Sequence, residues 1–323
     1  KDVVVETADG LILAYHGEEE KIENSNAIKR TKIRPGKVCL LVGGGSGHEP
    51  LFAGFVGENL ADGAVSGNVF AAPAPDQILA ATRAIDQGKG VLYLYGNYAG
   101  DNMNFDIAAE LAESEGIATK AVRIYDDVAS APLERITDRR GIAGDLFVIK
   151  IAGGAAAKLD SLEEVYRVTA KARDLTRSMG VALSPGSIPE TGQPTFTIGE
   201  GEIEIGMGLH GEAGVSREKM MPADELVSRM TDLILKDLPF KSGDEVCLLI
   251  NNLGATTMME LLIVNRKVRA LLAEKQITVH DTLIGSYCTS QEMAGFSISL
   301  LKLDDELKQY YNLPAKSFAF TKG

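Results

Sequence analysis

From residue 37 onward, compact apolar runs alternate with helical patterns, and this alternation limits the possible folds more than any other feature of the chain. Residues 38–42 (VCLLV), 91–95 (VLYLY) and 120–124 (KAVRI) read as strands. Between them, residues 76–86 put Ile78, Leu79, Thr82 and Ile85 on one helical face, and residues 104–115 form a second helix with Ile107, Leu111 and Ala112 inward. Ser161-Leu162-Glu163-Glu164 has the capping-box spacing and predicts a helix to about Ser178, with Leu162, Val165, Tyr166, Thr169 and Leu175 on one side. The alternation then repeats. Leu226, Val227, Met230, Leu233 and Ile234 form an amphipathic stripe, residues 246–250 a buried strand, and a helix runs from Thr257 to about Lys275. Residues 277–283 and 296–303 read as later strands. Short apolar runs at residues 3–5 and 11–15 leave helix and strand both open. Repeated strand–helix alternation predicts an α/β fold. The chain is expected to form two domains, each built on a mixed β-sheet flanked by helices. Residues 184–194 hold three prolines and two glycines, which places the boundary between domains 1–183 and 184–323.

In such sheets ligands sit beyond the carboxyl ends of strands, and the loops at 43–50 and 96–104 occupy that place. The first, Gly43-Gly44-Gly45-Ser46-Gly47-His48-Glu49-Pro50, suggests a phosphate cradle but fails the motif tests. There is no GxxxxGK[ST], because His48 stands where the lysine belongs, and no register completes GxGxxG. HRD and DFG triplets are absent as well. Instead, Gly44, Gly45, Ser46 and Gly47 would bring backbone N–H groups close to a small polar ligand, with His48 presenting its imidazole. The competing reading is a helix-capping loop whose histidine bonds the backbone. Asp101, in the second loop, offers a carboxylate near the same sheet edge, or else caps a helix ahead of Asn104.

A distant counterpart, Gly206-Met207-Gly208-Leu209-His210-Gly211-Glu212, again sets a histidine in glycine-rich backbone near a glutamate. The chain has four histidines, so two in such settings suggest that both loops serve one small-molecule site. A neutral imidazole with its other nitrogen oriented by an acceptor can add to a carbonyl carbon. Metal binding competes with that reading, although the histidines and carboxylates lack a local metal-motif spacing, and no metal or cofactor is expected. His280 reads as strand packing, and His16, beside three glutamates, as exposed or locally bonded. Met258 and Met259 read as packing residues.

Net charge is −12 with no basic run, which disfavours direct nucleic-acid binding. No window of 18 apolar residues predicts a membrane span, and no signal-peptide pattern opens the sequence. Cys39, Cys247 and Cys288 are widely spaced with no CxxC; Cys39 and Cys247 sit inside apolar runs and are expected as buried free thiols, in keeping with a reducing cytoplasm.

Taken together, these loops resemble the dihydroxyacetone kinase family, specifically its substrate-binding subunit. The matching stretches are GGGSGHEP at 43–50, AGFVG at 53–57, NYAGDNMNF at 97–105, DDVA at 126–129, RRGIAG at 139–144, GMGLHGE at 206–212 and NNLGAT at 251–256. The resemblance implies a homodimer that holds dihydroxyacetone, or a similar short ketose, as a hemiaminal on His210. It implies that His48 orients and polarises the ketone and that Asp101 takes up the hydroxyl proton during phosphoryl transfer. In this family the nucleotide is carried by a separate helical domain or subunit, in keeping with the failed search for a phosphate loop.

Three positions depart from the pattern. Gly96 stands where kinase members generally carry Lys, Ala72 where Ser is common, and Phe52 where a histidine is expected. A lysine would balance charge as the phosphoryl group transfers. Its loss beside a retained His210 implies impaired transfer. One branch of the family fits that description: a dihydroxyacetone-binding coactivator that pairs with a TetR-type transcription factor controlling the kinase operon. The sequence is expected to belong to that branch, with the acceptor-binding kinase subunit as the alternative.

Overall fold

A computed structural model describes residues 2–15, 17–23 and 25–323. His16 lies outside the described residues. The chain divides into two compact units, Lys1–Ile124 with Leu146–Arg173 and Glu306–Gly323, and Tyr125–Asp145 with Asp174–Asp305. Each holds a six-stranded mixed sheet with helices packed on it, as the alternation predicts.

In the first unit, helix α1 (Val3–Ala14) precedes strands β1 (Glu19–Lys21), β2 (Ala27–Arg30) and β3 (Cys39–Ser46). The undecided N-terminal runs are therefore helical. Strand β4 (Gly57–Glu58) leads to β5 (Gly63–Val69), helix α2 (Pro75–Ile85), β6 (Val91–Gly96), helix α3 (Ala99–Ser114) and β7 (Thr119–Ile124). The sheet order is β1-β2-β5-β3-β6-β7, with β5, β3, β6 and β7 parallel. Pro75 opens α2, where a missing N–H costs nothing, and Asp76 and Arg83 complement the helix dipole at its two ends. Ile78, Leu79, Thr82 and Ile85 are all buried, as their spacing requires.

Helix α3 begins five residues earlier than its periodicity suggests, and this changes its inner face. Asp101, Phe105, Ala108 and Ala112 turn inward, with the Phe105 ring stacked 4.2 Å from that of Tyr95. Ile107 and Leu111, expected inside, are 41% and 42% exposed. Phe105 occupies the space against the sheet, and the row it belongs to excludes theirs.

Helices α4 (Asp145–Lys158) and α5 (Leu162–Asp174) return the chain to the first unit for nearly their whole length. The expected run of α5 to Ser178 is wrong. The helix stops at Asp174 because β8 (Thr176–Ser184) is the next strand, and the Ser178 hydroxyl meets that of Ser299 at 2.6 Å.

The second unit continues with β9 (Glu202–Ile205), β10 (Ser216–Lys219), helix α6 (Ala223–Asp237), β11 (Glu245–Asn252), helix α7 (Met258–Glu274), β12 (Thr278–Gly285) and β13 (Ala294–Leu303). Its order is β10-β9-β8-β13-β11-β12, and only β11 and β12 run parallel. Thr257 and Glu260 form a reciprocal capping box at the start of α7. Leu226, Val227, Met230 and Ile234 are buried in the core of this unit, whereas Leu233, Met258 and Met259 are exposed, so neither methionine is a packing residue.

The chain ends in helix α8 (Asp305–Tyr311) and strands β14 (Ala315–Ser317) and β15 (Thr321–Lys322). β14 pairs with β4 and so belongs with the first unit, while β8 pairs with β13 and belongs with the second. The single cut expected between 183 and 184 is thus replaced by four crossings of the chain between the units, because strand pairing joins segments distant in sequence. All three cysteines are free and buried. Among the described residues, no helix is long and apolar enough to cross a membrane.

Candidate functional site

Strand β3 lies between β5 and β6, and the chain leaves it toward both sides. Such a switch point opens a crevice at the carboxyl ends of the parallel strands. Here those ends carry residues 46–48, 70–73 and 96–101. The His48 ring lies 5.2 Å from the Phe70 ring, just past the end of β5. Asn104 Nδ2 donates to the Pro73 carbonyl at 2.8 Å, tying α3 to the segment that holds Ala72. A Cβ on Gly100 would touch Ala72 at 3.3 Å, so Ala72 borders the first turn of α3. Gly96 is the last residue of β6, buried and paired in register with Ile124.

The glycine run extends β3 rather than ending it. Strand pairing continues through Gly43, Gly44 and Ser46. A Cβ on Gly43 would meet Val65 Cγ1 at 2.7 Å, and one on Gly45 would meet the Ala71 nitrogen at 2.8 Å. At Gly44 a Cβ would run into the Phe52 ring. The glycines therefore admit close neighbours on both faces of a buried strand. No α-helix starts after this loop, so it lacks the helix N-terminus that a phosphate cradle uses, and the helix-capping reading does not apply either. The Gly47 N–H is taken by the Glu49 carboxylate at 2.9 Å. The Ser46 hydroxyl donates to the Gly67 carbonyl at 2.8 Å. His48 is 3% exposed.

Asp101 sits in the first turn of α3, whose N-cap is Tyr98, and is not itself the cap ahead of Asn104. The helix dipole favours its negative charge there. Its position just beyond the end of β6 keeps it at the same sheet edge as His48.

In the second unit, His210 lies in the turn joining β9 to β10. Gly206 (φ +79°) and Gly211 (φ +85°) adopt left-handed conformations that favour glycine. The turn at Gly211 folds Glu212 back onto the histidine. Glu212 Oε1 lies 2.9 Å from His210 Nδ1, and Oε2 accepts the His210 backbone N–H at 3.0 Å. Burial opposes ionisation of Glu212, but the hydrogen bond and charge of His210, aided by Arg140, outweigh it and hold the carboxyl down to about 2. An ionised acceptor at Nδ1 selects the tautomer with hydrogen on that nitrogen, which puts the lone pair on Nε2. The Ser290 hydroxyl donates to the Leu209 carbonyl and pins the base of the turn.

His280 lies in β12, half-buried, with Nδ1 3.1 Å from Glu245 Oε1. The expected strand position is correct, and the carboxylate partner was not foreseen. Among the described residues no group of three or more His, Cys, Asp or Glu side chains is arranged to hold a metal ion.

Sequence reasoning left Asp127 and Arg140 without a role, although both lie in the quoted DDVA and RRGIAG stretches. Arg140 Nε and Nη2 donate to Asp127 Oδ2 at 3.0 and 2.8 Å, and Nη2 also donates to the Gly206 carbonyl at 3.0 Å. Arg140 Nη1 lies 3.9 Å from Glu212 Oε2. Charge pattern alone could not reveal this contact, because 72 positions separate Arg140 from Glu212 (212 − 140).

Two mixed α/β units, one of them holding a histidine by a carboxylate, set the fold class, and sequence comparison narrows it. The Dak1 domain matches residues 9–319, and the chain belongs to that family. It is 45% identical over 316 residues to the dihydroxyacetone-binding subunit DhaK of PTS-dependent dihydroxyacetone kinase 2 from Listeria innocua, covering 97% of this chain and 95% of the relative. Among solved structures, the dihydroxyacetone kinase operon co-activator Dha-DhaQ superposes with a TM-score of 0.92 at 29% identity, covering 98% of both chains. The dihydroxyacetone kinase of C. freundii superposes with a TM-score of 0.91 at 32% identity, covering 99% of this chain and 59% of that one.

Proposed function

We propose that this chain binds a short hydroxyketone such as dihydroxyacetone covalently, as a hemiaminal on His210. The observation that carries the reading is the pairing of His210 Nδ1 with an ionised Glu212 at 2.9 Å. The Nε2 lone pair adds to the carbonyl carbon, a C–N bond forms, and the π pair moves to oxygen, which takes a proton. Positive charge formed on the imidazole is offset by Glu212 until the Nδ1 proton leaves to solvent, giving the neutral adduct. Covalent capture suits the ligand class, because a small sugar offers little apolar area, and a carbonyl separates a ketone from its alcohol. In the first unit, His48 and Asp101 are proposed as ligand-contacting residues. Asp101 is the group suited to accept a hydroxyl proton, with Gly44, Gly45, Ser46 and Gly47 shaping the backbone around His48.

The captured ketone serves phosphoryl transfer in this reading. The chain is the acceptor-binding subunit and a partner brings the phosphoryl group. Its near-complete, 45%-identical match to a kinase subunit favours this role over the coactivator expected from the sequence. The coactivator of a TetR-type transcription factor stands as a second reading. It is favoured by Gly96 and Ala72, which bring neither a cation nor a hydroxyl to the edge beside Asp101, and by the likeness to the co-activator over the whole chain.

Carbon-13 NMR of dihydroxyacetone labelled at the carbonyl tests the first statement: the bound carbon should move from the ketone to the tetrahedral region. His210→Ala is expected to remove that signal and weaken binding at least a hundredfold; unchanged binding would defeat the hemiaminal. Mixing the chain with a helical nucleotide-bearing subunit and a phosphoryl donor separates the two roles. Sustained formation of ketose phosphate supports the kinase role, and ketone binding without turnover supports the sensor.

A further inference from the structure

We infer that Arg140, seated on Asp127, is a positioning residue that holds Glu212 against His210 and so sets the nucleophilic form of the histidine. The inference rests on the hemiaminal reading and deepens it. Asp127 is buried, and one of its oxygens, Oδ2, receives two guanidinium nitrogens while the other accepts the Ala129 N–H at 3.0 Å. The guanidinium plane is thereby fixed at one end. Its Nη2 reaches on to the Gly206 carbonyl, at the point where β9 turns into the histidine loop. Its Nη1 faces Glu212 Oε2, the oxygen that also accepts the His210 N–H. A planar fork can serve all of these at once, which a lysine ammonium on its flexible stem cannot.

Gly208 supplies independent support for the geometry. A Cβ at that position would run into Glu212 Oε2 and would lie 2.5 Å from Arg140 Nη1. The two charged groups approach each other through the space a side chain would fill. Gly208 is not among the positive-φ glycines, so its backbone does not demand glycine; the crowding does.

Outer partners of metal-bound histidines fix the tautomer and ring orientation, and removing them commonly lowers affinity or activity by about 10- to 100-fold; an effect of that order is expected where Glu212 orients His210. Arg140→Gln should therefore weaken ketone binding at least tenfold. In ¹⁵N spectra, the His210 ring should lose its single Nδ1-protonated form and show a mixture of tautomers. A change confined to folding would not alter the tautomer in a protein that still melts cooperatively. Gly208→Ala serves as the second variant, because its methyl group meets Glu212 first and pushes that less buried carboxylate away from a guanidinium anchored on Asp127. It should shift binding and tautomer in the same direction.

If folded Arg140→Gln binds labelled dihydroxyacetone as the parent does, with an unchanged tautomer, the positioning role is overturned. If Arg140→Gln does not fold, the same result from Gly208→Ala overturns it. His210→Ala, measured alongside, keeps the two ideas apart. Loss of the adduct in that variant while Arg140→Gln and Gly208→Ala behave as the parent removes the role of Arg140 alone. Retained binding in His210→Ala removes the hemiaminal reading itself.

Discussion

The two glycine–histidine loops are written alike and built differently. In the first unit, Glu49 directly follows His48, and its carboxylate turns back to the Gly47 N–H. In the second, Gly211 separates His210 from Glu212, and its left-handed turn brings the carboxylate onto the histidine ring and backbone. One intervening glycine decides whether the acid supports the main chain or orients the imidazole. The glycines differ as well. Those before His48 lie in a buried strand and make room for Val65, Phe52 and Ala71, whereas those around His210 shape a turn and admit a charged pair. Similar motifs thus divide between lining a buried strand and holding an imidazole by its Nδ1.

The largest effect expected from this contrast concerns the two glutamates. Glu212→Gln should lower ketone affinity by about a hundredfold, because the amide no longer offers an ionised acceptor to Nδ1. Glu49→Gln keeps an acceptor for Gly47 and should cost about 1 kcal/mol of stability with affinity changed less than fivefold. Isothermal titration with dihydroxyacetone and urea unfolding of both variants check the pair; equal losses of affinity would erase the distinction.

Next in size is Gly44→Ala, which drives a methyl into the Phe52 ring. Overpacking of this kind costs about 1–3 kcal/mol. Adding Phe52→Leu to the same chain should recover part of the loss, a coupling visible in a double-mutant cycle of urea midpoints. Strict additivity would show that Phe52 is not what requires the glycine.

The smallest effect separates the units by pH. Glu19 in β1 is buried, and desolvation, with the nearby Glu18, raises its carboxyl to about 8 from 4.5. The folded state therefore holds a proton that the unfolded chain releases, and stability from this group is fullest below 4.5 and declines as pH rises toward 8. The decline is at most about 1.4 kcal/mol per pH unit. Glu212 has the opposite sign: its carboxyl lies at about 2 in the fold, so its contribution is present above 4.5 and fades as pH falls toward 2. Melting temperatures should fall less steeply from pH 5 to 8 for Glu19→Gln than for the parent, while Glu212→Gln should flatten the profile only between about pH 4.5 and 2. Parallel curves for Glu19→Gln and the parent would refute the buried-acid account.

Much of the fold was legible because strands buried on both faces are continuous apolar runs. Residues 38–42 and 91–95 announced β3 and β6, and α2 showed its buried face through spacing alone. Helix α3 was misread because its inward row is led by Asp101 and by Phe105, whose place depends on Tyr95 of a neighbouring strand. A periodicity count favours Ile107 and Leu111, and the sheet favours the aromatic stack. The C-terminal end of α5 was misplaced for a related reason: strand pairing between β8 and β13 joins segments more than a hundred residues apart.

Local sequence determined the α/β class, the strands beyond whose ends His48 and Asp101 lie, and the presence of a histidine with a nearby acid in each glycine-rich loop. These follow from hydrophobic period and from residue identity, both readable over a few positions. Tertiary structure decided which acid meets which histidine, why the glycines at 43–45 are required, and that Arg140 and Asp127 stand behind Glu212. Arg140 reaches the Gly206 carbonyl across 66 positions of sequence. Such partners are chosen by the path of the folded backbone, and charge or spacing along the chain carries no record of that path.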